Sequence, residues 1–185
     1  MLNIFRKSAE IELRFAEDNA ARIEQVVDII VKTFEEGKKI LVFGNGGSAA
    51  DAQHIAAEFV NRYMLDRNPL PAIALTTDTS ILTSVGNDIS FDEIFARQIA
   101  ALGKKGDIAW GITTSGKSRN IARAFETAQE LGLITLGITG QDGGAVATMV
   151  DYNLNIASDL TPRIQETQLT LAHVICELVE KRIKK

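Results

Sequence analysis

Five short apolar runs, each followed by a longer stretch with helical periodicity, constrain this chain more than any other feature. They are Ile40–Phe43, Ala72–Leu75, Asp107–Ile112, Leu133–Ile138 and Tyr152–Ile156. Each is too short for a helix and is bounded by glycine, proline or polar residues, so each reads as a strand. Between them, helical patterns cover Ser48–Tyr63, Ile81–Val85 with Phe91–Leu102, and a stretch ending at Leu131. Gly86-Asn87-Asp88 separates the middle pair. A short helix follows Gly144, and the last runs from about Arg163 to Lys184. Strands alternating with helices give an α/β fold with a parallel sheet covered on both faces. Ligands of such a sheet bind at the carboxyl ends of its strands. The polar loops Asn45–Ser48, Thr76–Ser80 and Thr113–Ser118 all fall on that edge.

At 185 residues the chain has the size of one globular domain and can bury about 70% of its unfolded surface. Its net charge of −4 argues against a general nucleic-acid or anionic-membrane surface, although local donors can still hold a small anion. The single cysteine, Cys176, excludes an internal disulfide and suits a reducing compartment. The first residues lack the apolar core of a secretion signal, and no run of 18 apolar residues occurs, so a cytoplasmic protein is expected. Ile4 to Glu36 read as helical, with Gly37 as the stop. A polar break at Glu17–Ala20 leaves room for two helices. Their apolar face would either cover the core or pack against another subunit.

The chemistry begins at Leu41-Val-Phe-Gly-Asn-Gly-Gly-Ser-Ala-Ala-Asp-Ala-Gln-His-Ile-Ala-Ala-Glu58. A strand runs into a glycine turn, Gly44-Asn45-Gly46-Gly47, and then into a helix. Ser48 and Asp51 have the spacing of a capping box. A helix start after a glycine turn offers backbone donors to an anion such as a phosphate. Ala52, Ile55, Ala56, Phe59 and Tyr63 make the apolar stripe of that helix, while Asp51, His54, Glu58 and Arg62 lie on another side. His54 and Glu58 are neighbours across one turn. On an ordinary helix such a pair is a solvated ion pair; two turns beyond a ligand-type glycine turn it becomes a candidate for chemistry.

Two further segments add to the picture. Thr113-Thr114-Ser115-Gly116-Lys117-Ser118 puts four hydroxyls and a glycine just before a helix, a set able to donate to phosphate oxygens. It lacks the spacing of a nucleotide-triphosphate loop. Arg163-Ile-Gln165-Glu-Thr-Gln-Leu-Thr-Leu-Ala-His173 carries the other histidine on a largely apolar helix. Gln165 and His173 are separated by a rise of about 12 Å along a helix, so only opposed side chains, or ligands from two chains, would bring both to one ion.

Taken together, Gly44-Asn-Gly-Gly-Ser-Ala-Ala-Asp-Ala-Gln-His54-x3-Glu58, Leu75-Thr-Thr-Asp-Thr-Ser80, Gly86-Asn-Asp88, Thr114-Ser-Gly-Lys-Ser118 and Arg163-Ile-Gln-Glu-x6-His173 resemble the phosphoheptose isomerase family of the sugar-isomerase (SIS) domain superfamily. The resemblance spans nearly the whole chain. It implies a three-layer α/β/α sandwich on a five-stranded parallel sheet, flavodoxin- or Rossmann-like, with residues 1–185 as one SIS domain and a helical segment over about 1–36. It also implies a homotetramer with sites at subunit interfaces and one Zn²⁺ per subunit. The implied zinc ligands are His54, Glu58, Gln165 and His173. The implied sugar-phosphate contacts are Asn45, Gly46, Gly47, Ser48, Glu58, Asn87, Asp88, Thr113, Thr114, Ser115, Ser118 and Gln165. Gln168 stands where many relatives are expected to have histidine, and Thr113 keeps the hydroxyl of an expected serine.

The implied reaction converts sedoheptulose 7-phosphate to D-glycero-D-manno-heptose 7-phosphate, the first step towards ADP- or GDP-heptose precursors. A proton must move from C1 to C2 through an enediol or enediolate, which needs a base, an acid and a stabiliser of negative charge. Glu58 is the candidate base and His173 the acid, with zinc as Lewis acid. Three alternatives come from other classes. Gly44-Asn-Gly46-Gly-Ser-Ala49 satisfies a dinucleotide fingerprint, but no acidic residue ends the second strand at the required spacing. A non-catalytic SIS regulator would not need Glu58 and His173. Another SIS phosphosugar isomerase or sugar-binding domain would keep the same loops.

Overall fold

The computed structural model describes residues 1–183; Lys184, the expected end of the last helix, lies outside them. The five runs form β1 (Ile40–Gly44), β2 (Ala72–Ala74), β3 (Ile108–Ile112), β4 (Ile134–Gly140) and β5 (Tyr152–Ile156). All pairings are parallel, in the order β2-β1-β3-β4-β5. β1 and β3 are buried at every position, which is why they read as unbroken apolar runs and not as an alternation. Their side chains still point alternately to two layers. Ile40 and Val42 enter one core with Ile55, Phe59, Trp110 and Ile175, and Leu41 and Phe43 enter the other with Ile99 and Phe125.

The first core is covered by α1 (Leu2–Glu35), α2 (Gly47–Val60) and α7 (Thr161–Arg182). The second is closed by α4 (Ala96–Leu102), α5 (Arg119–Glu130) and α6 (Val146–Met149), with Leu82 and Val85 of α3 (Thr79–Asp88) packed against it and a 3-10 turn at Phe91–Glu93 between α3 and α5. No helix among the described residues is long and apolar enough to cross a membrane.

Three sequence expectations change. The N-terminal segment is one 34-residue helix, not two. Its polar break falls on the exposed face, and Asn19 takes the stripe position between Phe15 and Ile23, its amide donating to the Phe15 carbonyl at 2.9 Å. Gly37 does stop the helix. At φ +68° it lets its own N–H reach Phe34 and that of Lys38 reach Thr33, the paired bonds of a Schellman closure. Gly86-Asn87-Asp88 is not a break, because α3 runs through it from an Asp78 cap whose carboxylate accepts the Ile81 N–H. The third change lies at the start of α2.

Candidate active site

β1 and β3 end level with each other, Gly44 opposite Ile112, at the point where the strand order reverses. The β1–α2 and β3–α5 loops therefore flank the switch point, the usual ligand position in an open parallel sheet. Side chains tie the two loops together. Asn45 Nδ2 donates to Asn120 Oδ1 at 2.9 Å, and Asn120 Nδ2 returns the bond to Asn45 Oδ1 at 2.8 Å. Asn120 is buried in the first turn of α5 and was not singled out from the sequence. Its one signal was an amide on the face shared with the buried Ile121 and Ala124.

α2 begins at Gly47, with Gly46 as its cap and no side chain accepting from its opening N–H groups. The Ser48/Asp51 capping box does not form, because the helix starts too early for Ser48 to be the capping residue. Ser48 is instead buried in the first turn, pressed so closely on β1 that a Cβ at Gly44 would lie 2.7 Å from the Ser48 carbonyl oxygen. Gln165 of α7 packs on the same helix start: a Cβ at Gly47 would meet its Nε2 at 2.7 Å.

The hydroxyl loop is a compact turn. Thr113 Oγ1 accepts the Gly116 N–H at 3.2 Å and lies 3.4 Å from Ser118 Oγ, while Ser115 Oγ accepts the Lys117 N–H at 3.2 Å. Gly116, at φ +64°, lies against the backbone of Gly143 and Gly144, and its carbonyl accepts the Val146 N–H at 3.2 Å. The carbonyl of Thr114 rests on Gly140, where a Cβ would be 2.5 Å away. Gln168 buttresses the loop from α7: its buried Nε2 lies 3.4 Å from both the Thr113 and Ile138 carbonyls, and its Oε1 has no partner. An amide at this position thus reaches the carboxyl ends of β3 and β4.

His54 and Glu58 of α2 meet His173 of α7. The two Nε2 atoms are 2.8 Å apart, and His54 Nε2 is 3.4 Å from Glu58 Oε1. One ligand atom from each of the three lies within 4.8 Å of the others. α2 holds this pose because Phe59 is locked into the first core, 5.3 Å from the Phe34 ring and 6.5 Å from that of Trp110, which leaves the opposite side of the helix to its polar residues. The cluster is open to solvent at His54, whose side chain is 44% exposed, while Glu58 and His173 are half-buried. Burial pushes the Cys176 thiol, one turn beyond His173, up to about 12, with the charge of Glu58 adding to the effect. Burial likewise raises the Asp51 carboxyl, with His54 opposing it. The Tyr63 ring lies 5.5 Å from that of His173.

Asn87 and Asp88 stand apart from this arrangement. They occupy the exposed last turn of α3, and their side chains hydrogen-bond to each other at 2.8 Å, with no hydrogen bond to another site residue.

The SIS-domain family model matches residues 4–140. The phosphoheptose isomerase of Aquifex aeolicus is 55% identical over 97% of this chain and 94% of its own length. The chain belongs to the phosphoheptose isomerase family of SIS-domain proteins. The phosphoheptose isomerase of Thermodesulfovibrio yellowstonii is 51% identical, with 95% of this chain and 88% of that protein covered. The structure of a phosphoheptose isomerase from Francisella tularensis superposes with a TM-score of 0.94 at 39% identity, covering 97% of this chain and 96% of the other.

In this member of the family, two imidazole nitrogens and a carboxylate converge on one point. Two histidines and one glutamate are a ligand set of catalytic zinc sites, where the fourth position stays open to water or substrate. The donor chemistry of the cluster therefore fits a zinc ion.

Proposed function

We propose that the protein interconverts sedoheptulose 7-phosphate and D-glycero-D-manno-heptose 7-phosphate. The observation that carries the reading is the convergence of His54, Glu58 and His173 in a chain of this family. In this reading the α2 start and Asn45, Gly46, Gly47 and Ser48 face the sugar phosphate from one side. Thr113, Thr114, Ser115 and Ser118 face it from the other, with Asn87 and Asp88 supplying outer contacts. Glu58 takes the proton from C1 and returns it to C2. His173 takes the proton from the C1 hydroxyl and delivers one to the C2 oxygen, so that ketose becomes aldose with no net gain or loss of protons. His54, Glu58, His173 and Gln165 would hold one zinc per subunit. A zinc ion bound there would act as a Lewis acid, stabilising negative charge on the substrate oxygens.

The whole of residues 1–185 acts as one SIS domain in this proposal, in the cytoplasm, where a lone buried Cys176 stays reduced. We also infer a homotetramer. The N-terminal helix exposes Leu2, Ile4, Phe5 and Leu13, an apolar face suited to another subunit.

The direct test is incubation with sedoheptulose 7-phosphate in D₂O, followed by NMR. An aldoheptose 7-phosphate is expected, with deuterium at C2 in the fraction of turnovers in which the proton held by Glu58 exchanges with solvent before its return. Zinc-loaded, folded protein that forms no aldose would overturn the proposal.

A further inference from the structure

Neither α2 nor α7 alone makes the cluster, so their relative position has to be fixed by something. The helices meet again two turns beyond His173, where Glu180 is buried at 5% exposure. Its Oε1 accepts the Tyr63 N–H at 3.0 Å, and its Oε2 accepts those of Met64 at 2.7 Å and Leu65 at 2.6 Å. The segment leaving α2 is thus wrapped around one carboxylate. Arg67 closes the arrangement: its Nε lies 3.2 Å from Glu180 Oε1, and its side chain is 6% exposed. Arg67 also finishes α2 itself. Nη2 donates to the Glu58 carbonyl at 2.8 Å, and Nη1 donates to the carbonyls of Phe59 at 2.8 Å and Asn68 at 3.0 Å. A guanidinium at a helix carboxyl end also suits the helix dipole.

The consequence is geometrical. Glu180 and His173 lie on one rigid helix, and Arg67 binds the backbone carbonyl of Glu58, which is itself in the cluster. We propose that Arg67 and Glu180 are positioning residues: their buried ion pair sets the spacing between α2 and α7 and thereby brings His54 and Glu58 to His173. This rests on the reading of that cluster as the metal and proton-transfer site, but the spacing itself can be tested without metal or substrate.

A pair that merely stabilised the fold would do so equally well elsewhere. Lys39–Asp107 supplies the comparison. Asp107 is 1% exposed, lies just before β3, and accepts from Lys39 Nζ, Lys39 N–H and Lys104 N–H, none of them on α2 or α7.

The experiment uses Glu180→Gln, the milder Arg67→Lys, and Asp107→Asn as the control. Arg67→Lys keeps the charge but cannot reach three carbonyls with a planar fork. The chain has two histidines, so ¹⁵N-histidine labelling of metal-free protein gives two imidazoles to follow at one fixed pH. Both should shift in Glu180→Gln and in Arg67→Lys and stay in place in Asp107→Asn, even where all three melt at similarly reduced temperatures. Zinc affinity, measured by chelator competition, should fall about 10- to 100-fold in the first two variants, the usual size of an outer-sphere effect, and be unchanged in the control. Unmoved imidazole signals in folded Glu180→Gln or Arg67→Lys would overturn the proposal whatever the zinc result. Wild-type protein that binds no zinc would instead overturn the metal reading, and the imidazole signals would still decide the spacing.

Discussion

Gly116 gives the sharpest test of the hydroxyl loop, because a second glycine provides its control. A Cβ at Gly116 would lie 1.9 Å from the Gly143 carbonyl oxygen, and real Cβ contacts essentially never fall below 3.0 Å. The β3–α5 loop and the Gly143-Gly144 turn must therefore part by about 1 Å, a displacement that can cost on the order of 10²-fold when it misplaces substrate. Gly116→Ala should lower kcat/KM for sedoheptulose 7-phosphate by about 10²-fold, equivalent to about 2.7 kcal/mol of transition-state stabilisation. Gly37 shares the left-handed backbone, φ +68° against +64°, yet has nothing within 4 Å of its Cβ position. Gly37→Ala meets only the conformational penalty of about 1–2 kcal/mol, which lowers the melting temperature of a chain this size by about 2–8 °C. Its kcat/KM should stay at the wild-type value. Steady-state kinetics beside thermal melts separate the two effects. If Gly116→Ala kept kcat/KM within threefold of Gly37→Ala, the loop would not be a substrate cradle.

The proton-transfer pair is tested by Glu58→Gln and His173→Gln, each expected to lose at least about 10²-fold in kcat, with the double variant little worse than either. Zinc content measured on the same samples separates proton transfer from ligation, and substantial turnover by both single variants would refute the assignment. For Cys176 the folded pKa lies above its ordinary value of 9.0, at about 12, so the native thiol stays protonated and should resist alkylation at pH 8 until the chain unfolds. Because the raised value belongs to the folded state, its contribution to stability is complete below pH 9 and is lost towards pH 12. Cys176→Ala should flatten that alkaline limb of the melting curve; an unchanged limb would contradict it. Light scattering should give a tetramer at assay concentrations, and a fully active monomer would remove the proposed interface.

The sequence by itself determined the parallel sheet, because fully buried strands must be short and apolar and the intervening helices must carry a 3.6-residue stripe. It also supplied the loops at the carboxyl edge and the His54–Glu58 pair, since glycines, clustered hydroxyls and an i, i+4 spacing are local signals. Where the local signal was ambiguous, tertiary contacts decided. The polar break at Glu17–Ala20 could have ended a helix, but α7 runs alongside α1 and binds it at Ser8–Glu166 and at the pair formed by Arg182 and Asp28. The Ser48/Asp51 spacing could have made a cap, but close approach to Gly44 placed Ser48 inside the helix. Asn120, Arg67 and Glu180 carried no motif. Their roles depend on partners 75, 117 and 113 positions away for the Asn45–Asn120, Tyr63–Glu180 and Arg67–Glu180 pairs, and no local pattern encodes such pairings. The meeting of His173 with His54, 119 residues apart, is the same kind of fact. Residue type made it conceivable, and only the packing of α7 across α2 made it a site.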